Sequence, residues 1–372
     1  MIVFGSPRRY VQGPGVVALI GAELVRLGRS AIFVAEEVIW QMVSSQITSS
    51  CQIAGVAGQH VRFGGEVTRA EIDRLYAACA DNTPDIVVAI GGGKTIDASK
   101  ALCNRLHARM VTMPTIASND SPTSHIFVIY DEDHCLVAVE RMSANPDLVI
   151  VDTAIITKAP AILLSAGIGD GVVKLFEVEQ CYQAGSNNVF GGRGSIAALA
   201  LARACHDTLR RDGPAALAAV ARGTPDAALE NVVEACVLMS GLAFENGGLS
   251  ICHAMTRGLS AVKGPAEALH GLQVAYGLLV QLELERRDAT FIDDMRIFFK
   301  ATGLPLSLRE LGFAGTSADI LTIAELTTQA PHAKNFHRLL GAEDVVAAIQ
   351  AVETGRHLSE VGNFPVFNGA YW

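Results

Sequence analysis

Charged residues are scarce in this chain. Asp, Glu, Lys and Arg make up 18% of its 372 residues, and the acidic ones outnumber the basic ones to leave a net charge of −9. Proteins that bind nucleic acid or an anionic membrane surface concentrate Lys and Arg on one face, and the sequence has no such cluster. We therefore predict no nucleic-acid partner and no membrane partner.

Long hydrophobic runs and cysteine motifs are also missing. No apolar stretch reaches the roughly 20 residues that a membrane-spanning helix needs, and the N-terminus carries no long apolar run with a cleavage site. The eight cysteines are scattered without a CxxC pair, which argues against a zinc–thiolate site and a disulfide framework. We expect a soluble cytoplasmic protein with reduced thiols.

Apolar residues, in contrast, make up half of the chain, as is typical of a globular protein with a large core. The length exceeds what one hydrophobic core usually supports, which favours two domains. Apolar strands alternate with helices up to about Thr157 and predict a mostly parallel sheet, whereas helical spacing dominates after Pro160. The predicted domains are an α/β domain over residues 1–158 and an all-helical domain over residues 159–372.

Within the first domain, the pattern predicts a helix that opens at residues 10–15 and runs to about Leu27, and a strand over residues 51–61. In the second domain, apolar residues recur at helical spacing in six segments. These predicted helices are residues 161–184, 194–211, 214–220, 231–244, 249–262 and 270–285.

A glycine loop stands between a buried strand and a helix in the first domain. The strand is residues 86–90 (IVVAI), the loop is residues 91–95 (GGGKT), and the helix follows from Ile96. Such a loop presents backbone N–H groups at the positive end of a helix dipole, with no Cβ to hold a phosphate away. A tight turn without a ligand is the alternative. A P-loop would need a glycine where Val88 stands, and the GxGxxG fingerprint is absent.

A second loop, residues 114–124, follows the next apolar run and is too polar to be core. Open α/β sheets bind ligands at the carboxyl ends of their parallel strands, so we predict that this segment and the glycine loop face one site. Glu36, at the end of an early strand, suits the hydroxyl groups of an adenosine ribose. A solvated strand end is the simpler explanation for Glu36.

Three polar residues stand out in the helical half. Asp170 is predicted in the first turn of an apolar helix, His253 within another and His270 at the start of a third. One aspartate and two histidines from separate helices can bind a divalent metal and leave coordination positions open. The simpler explanations are that Asp170 caps a helix and that the two histidines are core residues. The spacing in the sequence does not establish that the three side chains lie close together.

Five motifs follow one another along the chain: residues 91–97 (GGGKTID), 114–118 (PTIAS), 145–153 (NPDLVIVDT), 166–170 (AGIGD) and the pair His253 and His270. Their order and spacing resemble the glycerol dehydrogenases of the iron-containing (group III) alcohol dehydrogenase superfamily, which is related to dehydroquinate synthase. The resemblance implies a dehydroquinate synthase-like fold. It comprises an α/β NAD-binding domain with a parallel sheet, an all-α metal-binding domain and an active site in the cleft between them.

The same resemblance implies residue roles. Asp170, His253 and His270 would hold zinc, with Fe²⁺ as the alternative, and Asp120 would contact the substrate. Glu36 stands where the family carries an aspartate on the adenosine ribose, which favours NAD over NADP. The other implied cofactor contacts are Gly92, Gly93, Lys94, Asp97, Thr115, Ser118, Ser124, Ile126 and Tyr130.

The implied activity is reversible hydride transfer between NAD and a small polyol, a related vicinal diol or a hydroxyketone. The family also implies a homo-oligomer, with an octamer among the expected sizes, and we predict that the aromatic tail over residues 363–372 docks on the body or a neighbouring subunit. Three departures from the family pattern indicate an altered substrate pocket. They are Thr256 for a histidine, Asn119 for a threonine and Leu272-Gln273 for Glu-Lys.

Three alternatives remain open at the level of the sequence. The chain could be a 2-hydroxycarboxylate dehydrogenase of the same family, or a dehydroquinate synthase-like cyclase or lyase. The latter calls for several cations near the metal, where the sequence around the two histidines offers only Arg257 and Lys263. A catalytically silent binding protein of the same fold is the third, although it has no reason to retain all three metal ligands.

Overall fold

The computed structural model describes residues 1–79, 83–132 and 136–360. The chain divides into two compact units. The sheet unit comprises Gly5–Ala161 and Ala218–Leu242, and the helical unit comprises Met1–Phe4, Ile162–Leu217 and the chain from Ala243 onward. The sequence predicts one domain boundary, between residues 158 and 159. Because the sheet unit also includes Ala218–Leu242, that single boundary stays a proposal.

The sheet unit is built on six parallel strands. They are β1 (Tyr10–Gly13), β2 (Ser30–Ala35), β3 (Ala57–Arg62), β4 (Ile86–Gly91), β5 (Arg109–Pro114) and β8 (Leu148–Asp152), in the order β1-β8-β5-β4-β2-β3. Strands β6 (Ile126–Tyr130) and β7 (Leu136–Arg141) form a separate antiparallel pair. The predicted parallel sheet is confirmed.

The chain contains fifteen α-helices within the described residues. The first five are α1 (Ile20–Leu24), α2 (Glu37–Ala54), α3 (Arg69–Ala77), α4 (Gly93–Leu106) and α5 (Thr153–Ile156). The next five are α6 (Ala161–Val172), α7 (Lys174–Gln183), α8 (Ile196–Arg222), α9 (Ala227–Glu234) and α10 (Ser240–Gly247), with a π-helical turn, Ala235–Met239, between the last two. The last five are α11 (Ile251–Leu259), α12 (His270–Leu284), α13 (Ala289–Thr302), α14 (Ser317–Gln329) and α15 (Ala342–Thr354). The helical character of the second half is thereby confirmed.

Both faces of the parallel sheet are covered by helices. Every residue of β4 is buried, as expected of a continuous apolar strand in the middle of a parallel sheet. Residues Ile32 and Val34 pack with α3 and α4 on one face, and Ala31 and Phe33 pack with α1 and α2 on the other. Alternate side chains of β2 therefore pack into two separate hydrophobic cores, one on each face of the sheet.

The register of β4 and β5 positions the two predicted ligand loops. Gly91 lies opposite Pro114 at the carboxyl ends of these adjacent parallel strands. The glycine loop and the polar segment that follows Pro114 therefore leave the sheet at the same edge, as predicted.

Several predicted boundaries are wrong for local reasons. Residues 10–13 form strand β1 and not the start of a helix, and the strand expected from residue 51 begins only at Ala57. Cys51 still lies in α2, which ends where Gly55 adopts the left-handed conformation. Pro214 lies inside α8 and does not divide it. The predicted aromatic tail, residues 363–372, falls outside the described residues.

One helical run in the described chain, Ala227–Gly247, has the length and hydropathy of a membrane span. Of its most apolar window, 56% is buried inside the protein. Core helices of soluble proteins have the same composition, so this run is weak evidence for a membrane segment.

Candidate active site

The aspartate and two histidines singled out in the sequence converge in the helical unit. One ligand atom from each of Asp170, His253 and His270 lies within 4.8 Å of the others. Asp170 is buried and sits in the last turn of α6, where the sequence predicts the first turn, while His270 is the first residue of α12 and is exposed. A carboxylate and two imidazoles fit a divalent metal with coordination positions left open.

Two glycines allow the helices that carry these ligands to approach closely. A Cβ on Gly271, next to His270, would lie 1.9 Å from the carbonyl oxygen of Ala166 in α6. A Cβ on Gly169, next to Asp170, would lie 2.4 Å from the carbonyl oxygen of Gly271. The backbones of α6 and α12 therefore meet beside the ligands, and only glycine permits that contact.

Glu177 orients the His253 ring, although it is not among the residues that the sequence predicts. Its Oε2 lies 2.6 Å from His253 Nδ1, and its Oε1 accepts the backbone N–H groups of Ser250 at 2.8 Å and His253 at 3.0 Å. His253 Nε2 is thereby left facing Asp170 Oδ1 at 3.4 Å. A carboxylate on the distal nitrogen is the usual support of a metal-binding histidine.

Lys174 lies inside the triad and corrects the expectation that Arg257 and Lys263 are the nearby cations. Its Nζ donates to Asp170 Oδ1 at 2.6 Å and lies 3.3 Å from His253 Nε2, and its side chain is only 1% exposed. The detectable signal is its spacing of four residues from Asp170, which places both on one helix face. The triad thus fits a metal chemically, with two of its donor atoms also in contact with an ammonium group.

The charges around the triad shift the pKa values of its members. Burial alone would raise the pKa of Asp170, but Lys174 and His253 hold it well below its usual range. Burial would likewise raise the pKa of Glu177, and His253 and Lys174 lower it instead. Desolvation lowers the pKa of His270 to about 4, although part of its side chain is exposed. Burial would also lower the pKa of His253, but Glu177 and Asp170 raise it instead.

The glycine loop in the sheet unit has the geometry of a phosphate cradle. Helix α4 begins at Gly93, and Gly92 precedes it in an extended conformation without any side-chain cap. A Cβ on Gly92 would lie 3.0 Å from Ile116, and one on Gly93 would lie 2.9 Å from Asn119 Nδ2. These contacts show that the two loops touch, and an uncapped N-terminus next to bare glycines fits the pyrophosphate of a dinucleotide.

Two of the predicted cofactor residues hold the polar segment against α4. Asp97 accepts hydrogen bonds from Ser121 Oγ at 2.9 Å and from the Val128 N–H at 3.1 Å, and burial raises its pKa. Ser124 Oγ lies 3.1 Å from Nζ of Lys100, which also donates to the backbone carbonyls of Ser121 and Ile126 at 2.7 Å each. Lys100 is completely buried and is not among the predicted site residues.

The other predicted cofactor residues lie near the same edge of the sheet. Glu36 is exposed at the start of α2, directly after β2, and Lys94 forms an ion pair with Glu66 at 2.5 Å. The Thr115 N–H donates to the carbonyl of Gly91 at 3.1 Å. Ser118, Ile126 and Tyr130 are half-buried. Cofactor contacts for all of these residues stay predictions.

Asp120, the predicted substrate residue, is largely buried and held by a serine distant in sequence. Ser240 Oγ donates to Asp120 Oδ2 at 2.8 Å, and Thr123 Oγ1 in the same segment donates to the Val237 carbonyl at 2.9 Å. Ser240 follows the π-helical turn, a feature that often marks functional sites. No sequence pattern near Asp120 indicates this pairing.

The three departures from the family pattern make internal contacts. Asn119 Oδ1 accepts the Ser121 N–H at 3.1 Å, which shapes the turn that carries Asp120. Thr256 Oγ1 donates to the His253 carbonyl at 2.7 Å, and the amide of Gln273 donates to the Pro265 carbonyl at 2.7 Å. Each therefore also supports the local backbone near an inferred ligand.

Comparison with known proteins gives consistent matches. The sequence model of the iron-containing alcohol dehydrogenases matches residues 7–153. A glycolaldehyde reductase of Halobacterium salinarum is 39% identical over 87% of this chain and 89% of its own length. A glycerol dehydrogenase of Thermotoga maritima is 38% identical over 93% of this chain and 95% of its own length. The crystal structure of a probable glycerol dehydrogenase from Sinorhizobium meliloti 1021 superposes with a TM-score of 0.89, at 35% identity over 95% of this chain and 99% of that one.

Proposed function

Since the chain belongs to the iron-containing alcohol dehydrogenase family and is an NAD-dependent, metal-containing alcohol dehydrogenase of dehydroquinate synthase-like fold, we propose that it oxidises a small polyol. Glycerol is the first candidate substrate and dihydroxyacetone the product, with related vicinal diols and hydroxyketones as further candidates. The relatives named for glycerol and for glycolaldehyde support this choice, because both compounds carry oxygen on two adjacent carbons.

The observation that carries the proposal is the convergence of Asp170, His253 and His270 within 4.8 Å. A divalent ion held there, zinc in this proposal and Fe²⁺ as the alternative, would supply Lewis acidity that lowers the pKa of a neighbouring hydroxyl group. Glu177 keeps His253 Nε2 directed at this position. The exposed edge of His270 is the side from which a small molecule can enter.

In the proposed reaction, a hydride leaves the carbinol carbon of the substrate for C4 of the nicotinamide, and the hydroxyl proton passes to solvent. The alcohol is oxidised to a carbonyl and NAD is reduced to NADH. The chain's own part is orientation. The glycine loop would hold the pyrophosphate, Glu36 the ribose hydroxyls and Asp120, fixed by Ser240, a hydroxyl of the substrate.

Preference for NAD over NADP follows from charge in this proposal. Glu36 is exposed at the end of β2, where its carboxylate would repel a phosphate on the adenosine ribose. Lys94 in the glycine loop is paired with Glu66 at 2.5 Å, so its charge is already neutralised.

The test is an NADH-formation screen over glycerol, propane-1,2-diol, butane-2,3-diol and 2-hydroxy acids, with and without a chelator. We expect NADH formation with a vicinal diol, its loss with the chelator and its recovery with zinc. His270→Ala should reduce kcat/KM by at least about a hundredfold. His337→Ala, an exposed histidine of the same unit outside the triad, should leave kcat/KM unchanged.

Other outcomes would point to the alternatives. Oxidation of 2-hydroxy acids alone would indicate a 2-hydroxycarboxylate dehydrogenase. Turnover of a phosphorylated substrate without net NADH would indicate a cyclase or lyase. Full activity in His270→Ala would contradict the role of the triad.

We also propose a cytoplasmic homo-oligomer, with an octamer among the expected sizes. The support is the likeness to the glycerol dehydrogenases. Light scattering coupled to size-exclusion chromatography measures the subunit number directly.

A further inference from the structure

The ammonium group of Lys174 contacts donor atoms of two of the three triad residues, Asp170 and His253. Lys174 opens α7, one helical turn after Asp170, and its side chain is 1% exposed. Its Nζ lies 2.6 Å from Asp170 Oδ1, 3.3 Å from His253 Nε2 and 5.5 Å from the ring centre of Phe244. Lysine is almost never fully buried unless it is paired with an opposite charge, and Asp170 is that partner here.

The partners of Lys174 are the same atoms that a metal would use. His253 Nδ1 is already taken by Glu177, so Nε2 is the nitrogen available for coordination. Coordination bonds from oxygen and imidazole nitrogen are about 2.0 to 2.2 Å long, so an ion held by Asp170 and His253 would lie within a few ångströms of Nζ. Two cations that close together repel each other strongly where water is excluded.

Lys174 also balances charge in the absence of metal. Asp170 and Glu177 are two carboxylates with side-chain exposures of 2% and 0%. A buried carboxylate without a cation is costly, so an internal ammonium lets this part of the helical unit fold before a metal arrives. The lysine therefore stabilises the metal-free protein and weakens metal binding through the same contacts.

We propose that Lys174 is a resident cation of the triad, which a divalent ion must displace from Asp170 Oδ1 in order to bind. This inference rests on the metal role proposed above for the triad. It adds that the chain holds its metal more weakly than its three ligands alone would, and that the metal-free state is a preformed, stable state of the protein.

The test compares wild type with Lys174→Met, which keeps an unbranched side chain one atom shorter and removes the charge. Zinc affinity is measured by competition of each metal-free protein with a chromogenic chelator. Thermal unfolding is measured with and without zinc. Lys174→Met should bind zinc at least about tenfold more tightly, unfold at a lower temperature without metal and gain more from zinc than wild type does.

Two further variants keep the test interpretable. Lys300→Met removes an exposed lysine of the same unit and should match wild type in every measurement. Lys174→Gln keeps a hydrogen-bond donor for Asp170 without the charge, and it serves if the methionine variant does not fold.

Equal or weaker zinc binding by the position-174 variants would overturn the proposal, and so would the absence of zinc binding by both wild type and variants. Neither result depends on turnover. The proposed function is judged separately, by NADH formation in wild type.

Discussion

Glu177 is the residue on which the orientation of His253 depends most directly. Its two oxygens accept hydrogen bonds from the His253 ring at 2.6 Å and from two backbone N–H groups at 2.8 and 3.0 Å. Glu177→Gln should keep the shape of the side chain but remove its negative charge, which weakens the hydrogen bond to the His253 ring. We expect zinc affinity to fall about 10- to 100-fold, as is typical when the support of a metal-binding histidine is removed.

Competition with a chelator dye measures this change. The matched control is Glu179→Gln, which removes a carboxylate from the same helix that pairs with Arg203 and Arg287 and lies outside the triad. Unchanged zinc affinity in Glu177→Gln, or an equal loss in the control, would show that Glu177 does not act through His253.

At the residue scale, the sequence singles out the three residues of the candidate metal site but not the residues that support them. Asp170, His253 and His270 stand out because each is polar within an apolar helix, and they do converge. Lys174 and Glu177 share a helix face with Asp170, but a lysine and a glutamate on a helix normally face solvent. Contacts with His253 of α11 and Phe244 of α10 accompany their burial, and the sequence does not specify which helices pack together.

At the scale of the elements, the triad depends on the close contact between α6 and α12, which carry Asp170 and His270. A Cβ on Gly271 would meet the Ala166 carbonyl at 1.9 Å, and a backbone atom cannot move aside as a flexible side chain can. Gly271→Ala should therefore push the two helices apart, destabilise the protein by at least about 2 kcal/mol and reduce zinc affinity. Thermal unfolding and chelator competition measure the two effects.

The control for this prediction is Gly194→Ala. A Cβ at that position would have no neighbour closer than 3.6 Å, so stability and zinc affinity should stay at wild-type values. A Gly271→Ala protein that keeps both properties would show that the helices do not need this close approach.

The elements also show where sequence patterns are reliable. Strands β4, β5 and β8 are continuous apolar runs next to polar or glycine segments, and their positions follow from hydrophobicity. The strand predicted over residues 51–61 begins too early. The last turn of α2 and strand β3 both contain few charged residues, and only Gly55 and Val56 separate them. Tyr10–Gly13 misleads because its pairing with β8 is a long-range contact that no local pattern encodes.

At the scale of the whole molecule, the candidate sites for the metal ion and for the dinucleotide lie in different units of the chain. The three proposed metal ligands all lie in the helical unit, and the glycine loop with the polar segment after Pro114 lies in the sheet unit. A ligand stabilises the folded state by about 2.7 kcal/mol at a hundred times its dissociation constant, and the protection falls on the amides whose opening breaks its site. Zinc and NADH should therefore protect different segments from hydrogen exchange.

Hydrogen-exchange mass spectrometry on the full chain tests this division. Zinc should slow exchange in the last turn of α6, in α11 and in the first turn of α12, and NADH should slow it over residues 91–97 and 115–124. His270→Ala should abolish the protection by zinc and leave the protection by NADH intact. Protection of the glycine loop by zinc alone, with α11 and α12 unchanged, would mean that the metal binds elsewhere than at Asp170, His253 and His270.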